Sequence, residues 1–248
     1  MKGDPSIALS HFERVAQSDA NYVIRFYPLQ QSIWTYVGRS QYALGKFPEA
    51  RETFERALSH LKDDSMARLY LGLTLVRQDR EPKVENRLSL EDILYALREG
   101  VGSRRVTTLV RERGVAFDLT GESESLLRRG GGDGQLVEEI ARARTEQAKQ
   151  KQTNELQRER GLREIASALR DLNSWLEHIS SNTSYGKFWD PGRNIRSQIQ
   201  LSLSLLSGRD ADWQKIVSGG EWVGQKLEEE IDLARRDELQ EESRRRTR

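Results

Sequence analysis

The chain of 248 residues has a formal net charge of +1, with 32% charged and 36% hydrophobic residues, a balance typical of a soluble, helix-rich protein with much exposed surface. Its lack of cysteine excludes disulfides and cysteine-ligated metal sites. No stretch is apolar and long enough for a membrane span or the core of a signal peptide, so we expect a cytoplasmic protein, or an exported one whose signal segment is absent from this chain.

The first predicted element is an amphipathic helix over residues 6–17. Its apolar face is formed by Ala8, Phe12, Val15 and Ala16. Residues 18–31 follow as a connection rich in aromatic and aliphatic side chains. We interpret part of this connection as a short apolar helix that ends at Pro28.

The periodicity of residues 33–58 predicts two amphipathic helices joined by a tight turn. Gly38 and Ala50 fall where the two helices would cross, and a larger side chain there would hold the backbones apart. Phe54 is expected to fill the groove that this close approach leaves. The other apolar positions are Trp34, Val37, Leu44, Phe47, Ala57 and Leu58. This order of large, small and aromatic residues resembles a tetratricopeptide repeat, whose period is about 34 residues.

The resemblance implies a stack of helical hairpins of bacterial type, in which residues 6–17 form a capping half-repeat. Gly72 stands 34 residues after Gly38 and marks the first helix of a second repeat. The matching second helix does not follow directly, because its pattern reappears only at Gly161, Ile165, Ala168 and Leu169. We therefore interpret residues 80–158 as an insertion in the turn of the second repeat, where insertions are tolerated.

The predicted insertion consists of two similar halves of about 30 residues, each a helix, a glycine turn and a second helix. The halves align through Leu97/Leu127, Gly100/Gly130, Gly102/Gly132, Val106/Leu136 and Val110/Ile140. Ser89 and Thr120 are predicted to cap the first helices, and Ser103 and Asp133 the second ones. The pattern resembles a duplicated module of bacterial multidomain proteins, and the polar residues that follow it predict a solvated helical arm.

Residues 159–234 are predicted to complete the second repeat and to add C-terminal capping helices. Gly219 and Gly220 are interpreted as a break before the last helix, and residues 235–248 as a frayed, charged tail. The tryptophans expected to pack these helices on the second repeat are Trp175, Trp189, Trp213 and Trp222. This part resembles the C-terminal region of bacterial tetratricopeptide-repeat proteins of unassigned function. The domain boundaries are thus 1–79, 80–158, 159–234 and 235–248.

The sequence gives no pattern for catalysis, a cofactor or a metal. His11, His60 and His178 lie in predicted helices without a second ligand at metal spacing, and no nucleophile or metalloprotease motif occurs. Residues 130–134 are glycine-rich but lack the lysine of a phosphate loop. Residues 228–230 are three glutamates, which we interpret as a charge run on the polar face of a helix. We therefore expect no enzyme.

Arginines make the predicted insertion locally basic, which leaves a regulatory nucleic-acid-binding protein as the alternative function. They are Arg104, Arg105, Arg111, Arg113, Arg128 and Arg129. Acidic residues in the same segment offset this charge, so we expect a solvated helical surface and no nucleic-acid partner.

A protein partner, as a peptide or a helix, is the main expectation from the resemblance. The first helices of the two repeats display Thr35, Arg39, Tyr42, Leu69, Leu73 and Val76 on the concave face. The last three are too apolar to be left in water, so either a partner or the chain's own C-terminal helices cover them. Aromatic anchors for an interface are also predicted at Tyr185, Phe188 and Trp189.

The sequence therefore predicts an all-α protein, a tetratricopeptide-like solenoid of helical hairpins with an inserted small helical domain and C-terminal capping helices. Its expected function is that of a non-catalytic scaffold or adaptor, which binds a protein through the repeat groove or the insertion. The identity of the partner and the oligomeric state do not follow from the sequence.

Overall fold

The computed structural model describes residues 4–26, 29–78, 87–181, 189–207 and 212–246. Within these ranges it does not describe the side chains of residues 26, 180–181, 189–191, 234–235 and 237–246. Ten helices and one two-stranded hairpin account for the regular structure of the described residues. The predicted all-α architecture of helical hairpins is confirmed.

Helix α1 (Pro5–Ser18) begins at Asp4, whose side chain accepts a hydrogen bond from the backbone N–H of Ser6. The predicted short helix between α1 and the first repeat is wrong. Its place is taken by strands β1 (Val23–Phe26) and β2 (Leu29–Ser32), which pair antiparallel with Val23 opposite Ser32. β-branched and aromatic residues favour this extended, half-buried conformation.

The first complete helical hairpin consists of α2 (Ile33–Ala43) and α3 (Phe47–His60). A methyl group on the α-carbon of Gly38 would lie 2.7 Å from an edge atom of the Phe54 ring, which is fully buried. Gly45 ends the first helix with φ +73°, a conformation that favours glycine. The predicted roles of Gly38 and Phe54 are therefore confirmed.

A second close crossing joins α4 (Ser65–Gln78) to the C-terminal part of α8 (Gly134–Ser181). A methyl group on Gly72 would lie 2.6 Å from the carbonyl oxygen of Gly161 and 2.7 Å from the side chain of Ile165. Ile165 thus packs on Gly72 as Phe54 packs on Gly38. This parallel supports the interpretation of α4 and residues 159–181 as the two helices of one repeat.

The chain divides into two compact units, one formed by residues 1–79 and 157–248 and the other by residues 80–156. The second unit contains α5 (Leu90–Arg98), α6 (Ser103–Arg113), α7 (Gly121–Arg129) and the start of α8. An isolated parallel bridge joins Leu88 to Val115. The core of this second unit consists of Ile93, Leu97, Val106, Val110, Val115, Leu127, Leu136 and Ile140.

Three of the four predicted helix caps in this unit are confirmed. Ser89 and Thr120 each form a capping box, and Asp133 accepts a hydrogen bond from the N–H of Leu136 at 2.9 Å. Ser103 is the first residue of α6 and does not cap it, because Gly102 occupies that position. Ser103 instead accepts a hydrogen bond from the backbone N–H of Asp133.

The C-terminal helices are α9 (Trp189–Ser207) and α10 (Trp213–Arg246). The predicted break at Gly219 and Gly220 is wrong, since α10 runs through both residues. The pair instead allows close contact, with Gly219 against Ser202 of α9 and Gly220 against Leu73 of α4. Helix also continues through residues 235–246, where the sequence predicts a frayed tail.

Apolar side chains from the repeats and from the C-terminal helices form one core in the first unit. Trp175 is buried within this core, and Trp213 packs against it while remaining partly exposed. Trp222 differs from the expectation, because 41% of it is exposed on the outer side of α10. The side chain of Trp189 lies outside the described residues.

Candidate functional site

The concave face of the repeats is the candidate site, and α10 lies against it. Leu69, Leu73 and Val76 of α4 are completely buried. A methyl group on Gly220 would lie 3.2 Å from Leu73 and 3.5 Å from Leu69, so α10 approaches α4 closely at this glycine. In this structure the chain's own C-terminal helix therefore covers Leu69 and Leu73, whereas Val76 lies against Gly161 of α8.

Arg39 forms a bidentate ion pair with Glu228 of α10. The side chain of Arg39 is only 3% exposed and that of Glu228 13%. The guanidinium carbon also lies 4.9 Å from the ring centroid of Tyr70 and 5.8 Å from that of Tyr36. Because the charge on Arg39 is buried, its carboxylate partner and the two rings are what make it tolerable there.

A second polar cluster lies at Glu221, seven residues before Glu228 on α10. The hydroxyl of Tyr42 donates a hydrogen bond to this carboxylate, and Nη2 of Arg77 lies 2.6 Å from it. Burial, followed by the hydrogen bond to Glu221, raises the pKa of Tyr42. The tyrosine therefore stays neutral and acts as a hydrogen-bond donor.

Thr35 lies apart from these contacts, in a buried polar cluster around Asp64. The hydroxyl of Thr35 donates to the carboxylate of Asp64 at 2.6 Å. The backbone N–H groups of Ser32 and Ala67 donate to the same carboxylate at 2.7 and 2.9 Å. Thr35 thus fixes the junction of β2, α2 and α4.

The predicted charge run at residues 228–230 divides between two environments. Glu228 faces the repeats, which corrects its assignment to the polar face of the helix, whereas Glu229 is exposed and lies 3.1 Å from Lys226. Sequence reasoning missed Glu221, Glu228 and Arg77 as groove residues. Without the false break at Gly219 and Gly220, the spacing of seven between the two glutamates would have placed them on one face of α10.

The predicted aromatic anchors are only partly within the described residues. Tyr185 and Phe188 lie outside them, and so does the side chain of Trp189, the first residue of α9. Their proposed role at an interface remains a prediction.

The second unit carries all six predicted basic residues, and the ion pairs of this unit include two of them, Arg111 and Arg128. Arg111 pairs with Glu139, Arg128 with Glu124, and Arg144 with Asp118. A cleft of about 640 Å³ in this unit is lined by both signs of charge, including Arg113, Lys151, Glu112 and Glu146. Its mixed charge does not select one class of ligand.

The described part of the chain offers neither a cluster of metal ligands nor a helix that could cross a membrane. No group of three His, Cys, Asp or Glu side chains there is placed to hold a metal ion. No helix there is both long and apolar enough to cross a membrane.

A family model described as Tetratricopeptide repeat matches residues 2–65 and, in a second match, residues 37–83. Residues 2–83 of the chain therefore contain tetratricopeptide repeats. The matches include α1 to α4, and they therefore contain every repeat residue that faces α10 in the two polar clusters. No curated protein and no solved structure matches the chain.

Proposed function

We propose that this protein is a non-catalytic scaffold or adaptor that binds a protein partner through its repeat groove or through residues 80–158. The repeat match carries the proposal, because tetratricopeptide repeats generally mediate protein–protein interactions. Of the predicted groove residues, Thr35, Arg39, Leu69, Leu73 and Val76 are buried in the present arrangement and Tyr42 is partly buried. A partner would reach Arg39, Tyr42, Leu69 and Leu73, which contact α10, only after this helix moves.

The interpretation of residues 80–158 as an insertion in the second repeat is part of this proposal. The contact between Gly72 and Gly161 brings α4 and α8 together on either side of that segment. The division of the chain at residues 80 and 156 also supports it. A module inserted in the turn of a repeat could contribute its own binding surface.

The test is affinity capture from a cell lysate with chemical cross-linking, carried out with the full chain and with a variant lacking residues 80–156. The proposal expects one protein to be captured at saturation in a fixed ratio and to be cross-linked to the groove or to the second unit. Loss of capture in the variant, with its fold retained, would assign recognition to the second unit. Capture of nucleic acid alone, released by salt, would contradict the proposal and favour the nucleic-acid-binding alternative.

A further inference from the structure

The face of α10 that contacts the repeats follows a definite pattern of small and acidic residues. Gly220 and Gly224 are four residues apart, so they lie on one side of the helix. Gly220 contacts Leu69 and Leu73, and a methyl group on Gly224 would lie 2.9 Å from the hydroxyl oxygen of Tyr70. Two small residues thus allow α10 to approach α4 closely.

The charges across the contact between α10 and the repeats are complementary, with the cations on the repeats and the carboxylates on α10. The repeats provide Arg39 and Arg77, and α10 provides Glu228 and Glu221. Both carboxylates are largely shielded from water, as the 13% and 22% exposure of their side chains indicates. Charged pairs in such positions discriminate between partners, because a helix with cations there would meet two partly buried arginines.

The groove retains two hydrogen-bond donors that α10 leaves without an acceptor. The Nε atoms of Arg39 and Arg77 are buried and have no hydrogen-bond partner among the described residues. An unpaired buried donor is unfavourable. A helix that offered a further acceptor to either guanidinium would therefore fit the groove better than α10 does.

We infer that residues 216–231 of α10 are an internal ligand of the repeat groove, and that the protein partner docks there with an amphipathic helix of the same pattern. In that pattern two small residues stand four positions apart, as Gly220 and Gly224 do. One carboxylate directly follows the first small residue, and the other stands four positions after the second, as Glu221 and Glu228 do. Apolar residues equivalent to Val217, Val223 and Leu227, which are buried in α10, complete the face. The inference rests on the proposed scaffold function and names the chemistry of its partner.

The test measures binding of a fluorescein-labelled peptide of residues 213–234 to the full-length protein by fluorescence anisotropy. The wild type is compared with the double variant Glu221→Gln/Glu228→Gln, in which the internal helix has lost both charges but little volume. We expect the peptide to bind the double variant at least tenfold more tightly than the wild type, because its internal competitor is weaker. Asp232→Asn, an exposed change on the same helix, is the matched control and should behave as the wild type.

Charge specificity is tested with a second peptide that has Lys in place of both glutamates. This peptide should not bind either protein, because it would place cations beside Arg39 and Arg77. Equal binding of the two peptides would overturn the inference. So would a concentration-dependent dimer in size-exclusion chromatography of the double variant, since a second copy would then be the occupant.

A second measurement applies to the wild type and does not depend on the folding of any variant. An excess of the acidic peptide should speed hydrogen exchange in residues 216–231 and leave α2 and α3 unchanged. Failure of the peptide both to bind and to alter exchange would overturn the inference. If the lysate experiment still captured a protein through the second unit, the scaffold function would stand and only the groove ligand would be rejected.

Discussion

Asp64 shows how a single buried carboxylate organises the start of the second repeat. Its oxygens accept hydrogen bonds from Ser32, Thr35 and Ala67, which belong to or adjoin β2, α2 and α4. Helical periodicity placed Thr35 on the concave face but gave no indication of this partner, which lies 29 residues further along the chain. The missing information was the path of the connection between α3 and α4.

Replacing Asp64 by Ala should destabilise the protein by roughly 3 kcal/mol, because three buried donors would lose their acceptor. The free energy of unfolding in urea measures this effect. Asp63→Ala is the matched control, since Asp63 is exposed and its loss should cost no more than about 0.5 kcal/mol. Equal losses in the two variants would show that the buried cluster contributes little.

The same residue makes stability depend on pH in a defined direction. Burial raises the pKa of Asp64 above its usual value, although the hydrogen bonds from Thr35, Ala67 and Ser32 act in the opposite sense. The folded protein therefore holds this proton to a higher pH than the unfolded chain, and the stability that the proton provides is lost as pH rises through the folded pKa.

The free energy of unfolding of the wild type minus that of Asp64→Asn should accordingly fall as the pH is raised from about 4, near the ordinary pKa of aspartate. Urea unfolding at a series of pH values measures the difference. A difference that grows with pH would mean that the three hydrogen bonds outweigh burial.

At the scale of helices, two glycine crossings define the repeats. Gly38 meets the ring of Phe54, and Gly72 meets the backbone of Gly161 as well as Ile165. An aromatic ring can shift by a few tenths of an ångström, whereas a backbone carbonyl in a packed helix cannot do so without moving the helix. The second crossing is therefore the less tolerant.

Gly72→Ala should cost about 3 kcal/mol and Gly38→Ala about 1–2 kcal/mol, both through overpacking. Gly192→Ala in α9 is the control, because among the described side chains a methyl group there would meet only Leu176, at 3.8 Å. We expect it to stabilise by up to about 1 kcal/mol through higher helix propensity. Urea unfolding measures all three variants. A neutral Gly72→Ala would contradict the pairing of α4 with α8.

Sequence patterns predicted the helices well where small and large residues alternate with a helical period, as in α2, α3 and α4. They failed at residues 23–32, where a short apolar segment fits a strand as well as a helix. They also failed at Gly219 and Gly220, because glycine both ends helices and permits their close approach. Only the position of α4 beside α10 shows that Gly220 permits close approach and does not end a helix.

Only the repeat side of the candidate site was predictable from the sequence. Periodicity placed Arg39 and Tyr42 on the same face of α2, and the apolar character of Leu69, Leu73 and Val76 required a cover. The covering residues come from a helix far along the chain, since Glu228 stands 189 positions after Arg39. No local pattern in either segment specifies that they pair.

At the scale of the whole chain, we expect residues 80–156 to be separable from the rest. The contact of Val76 with Gly161 brings the two chain segments that flank this unit close together, so a short glycine–serine linker can join Asp79 to Gln157. We expect the shortened protein to be helical and to unfold in one cooperative transition in urea. Aggregation or a non-cooperative transition, with the full chain cooperative, would contradict the insertion.

An engineered disulfide tests whether α10 occupies the repeat groove. The chain has no cysteine, so Leu73→Cys with Gly220→Cys provides the only two thiols. Mild oxidation followed by mass spectrometry should show the intramolecular disulfide in this variant. It should not form in the control Leu73→Cys with Ser218→Cys, because Ser218 is exposed on α10. Free thiols in the first variant, or equal cross-linking in both, would contradict the claim that α10 fills the groove.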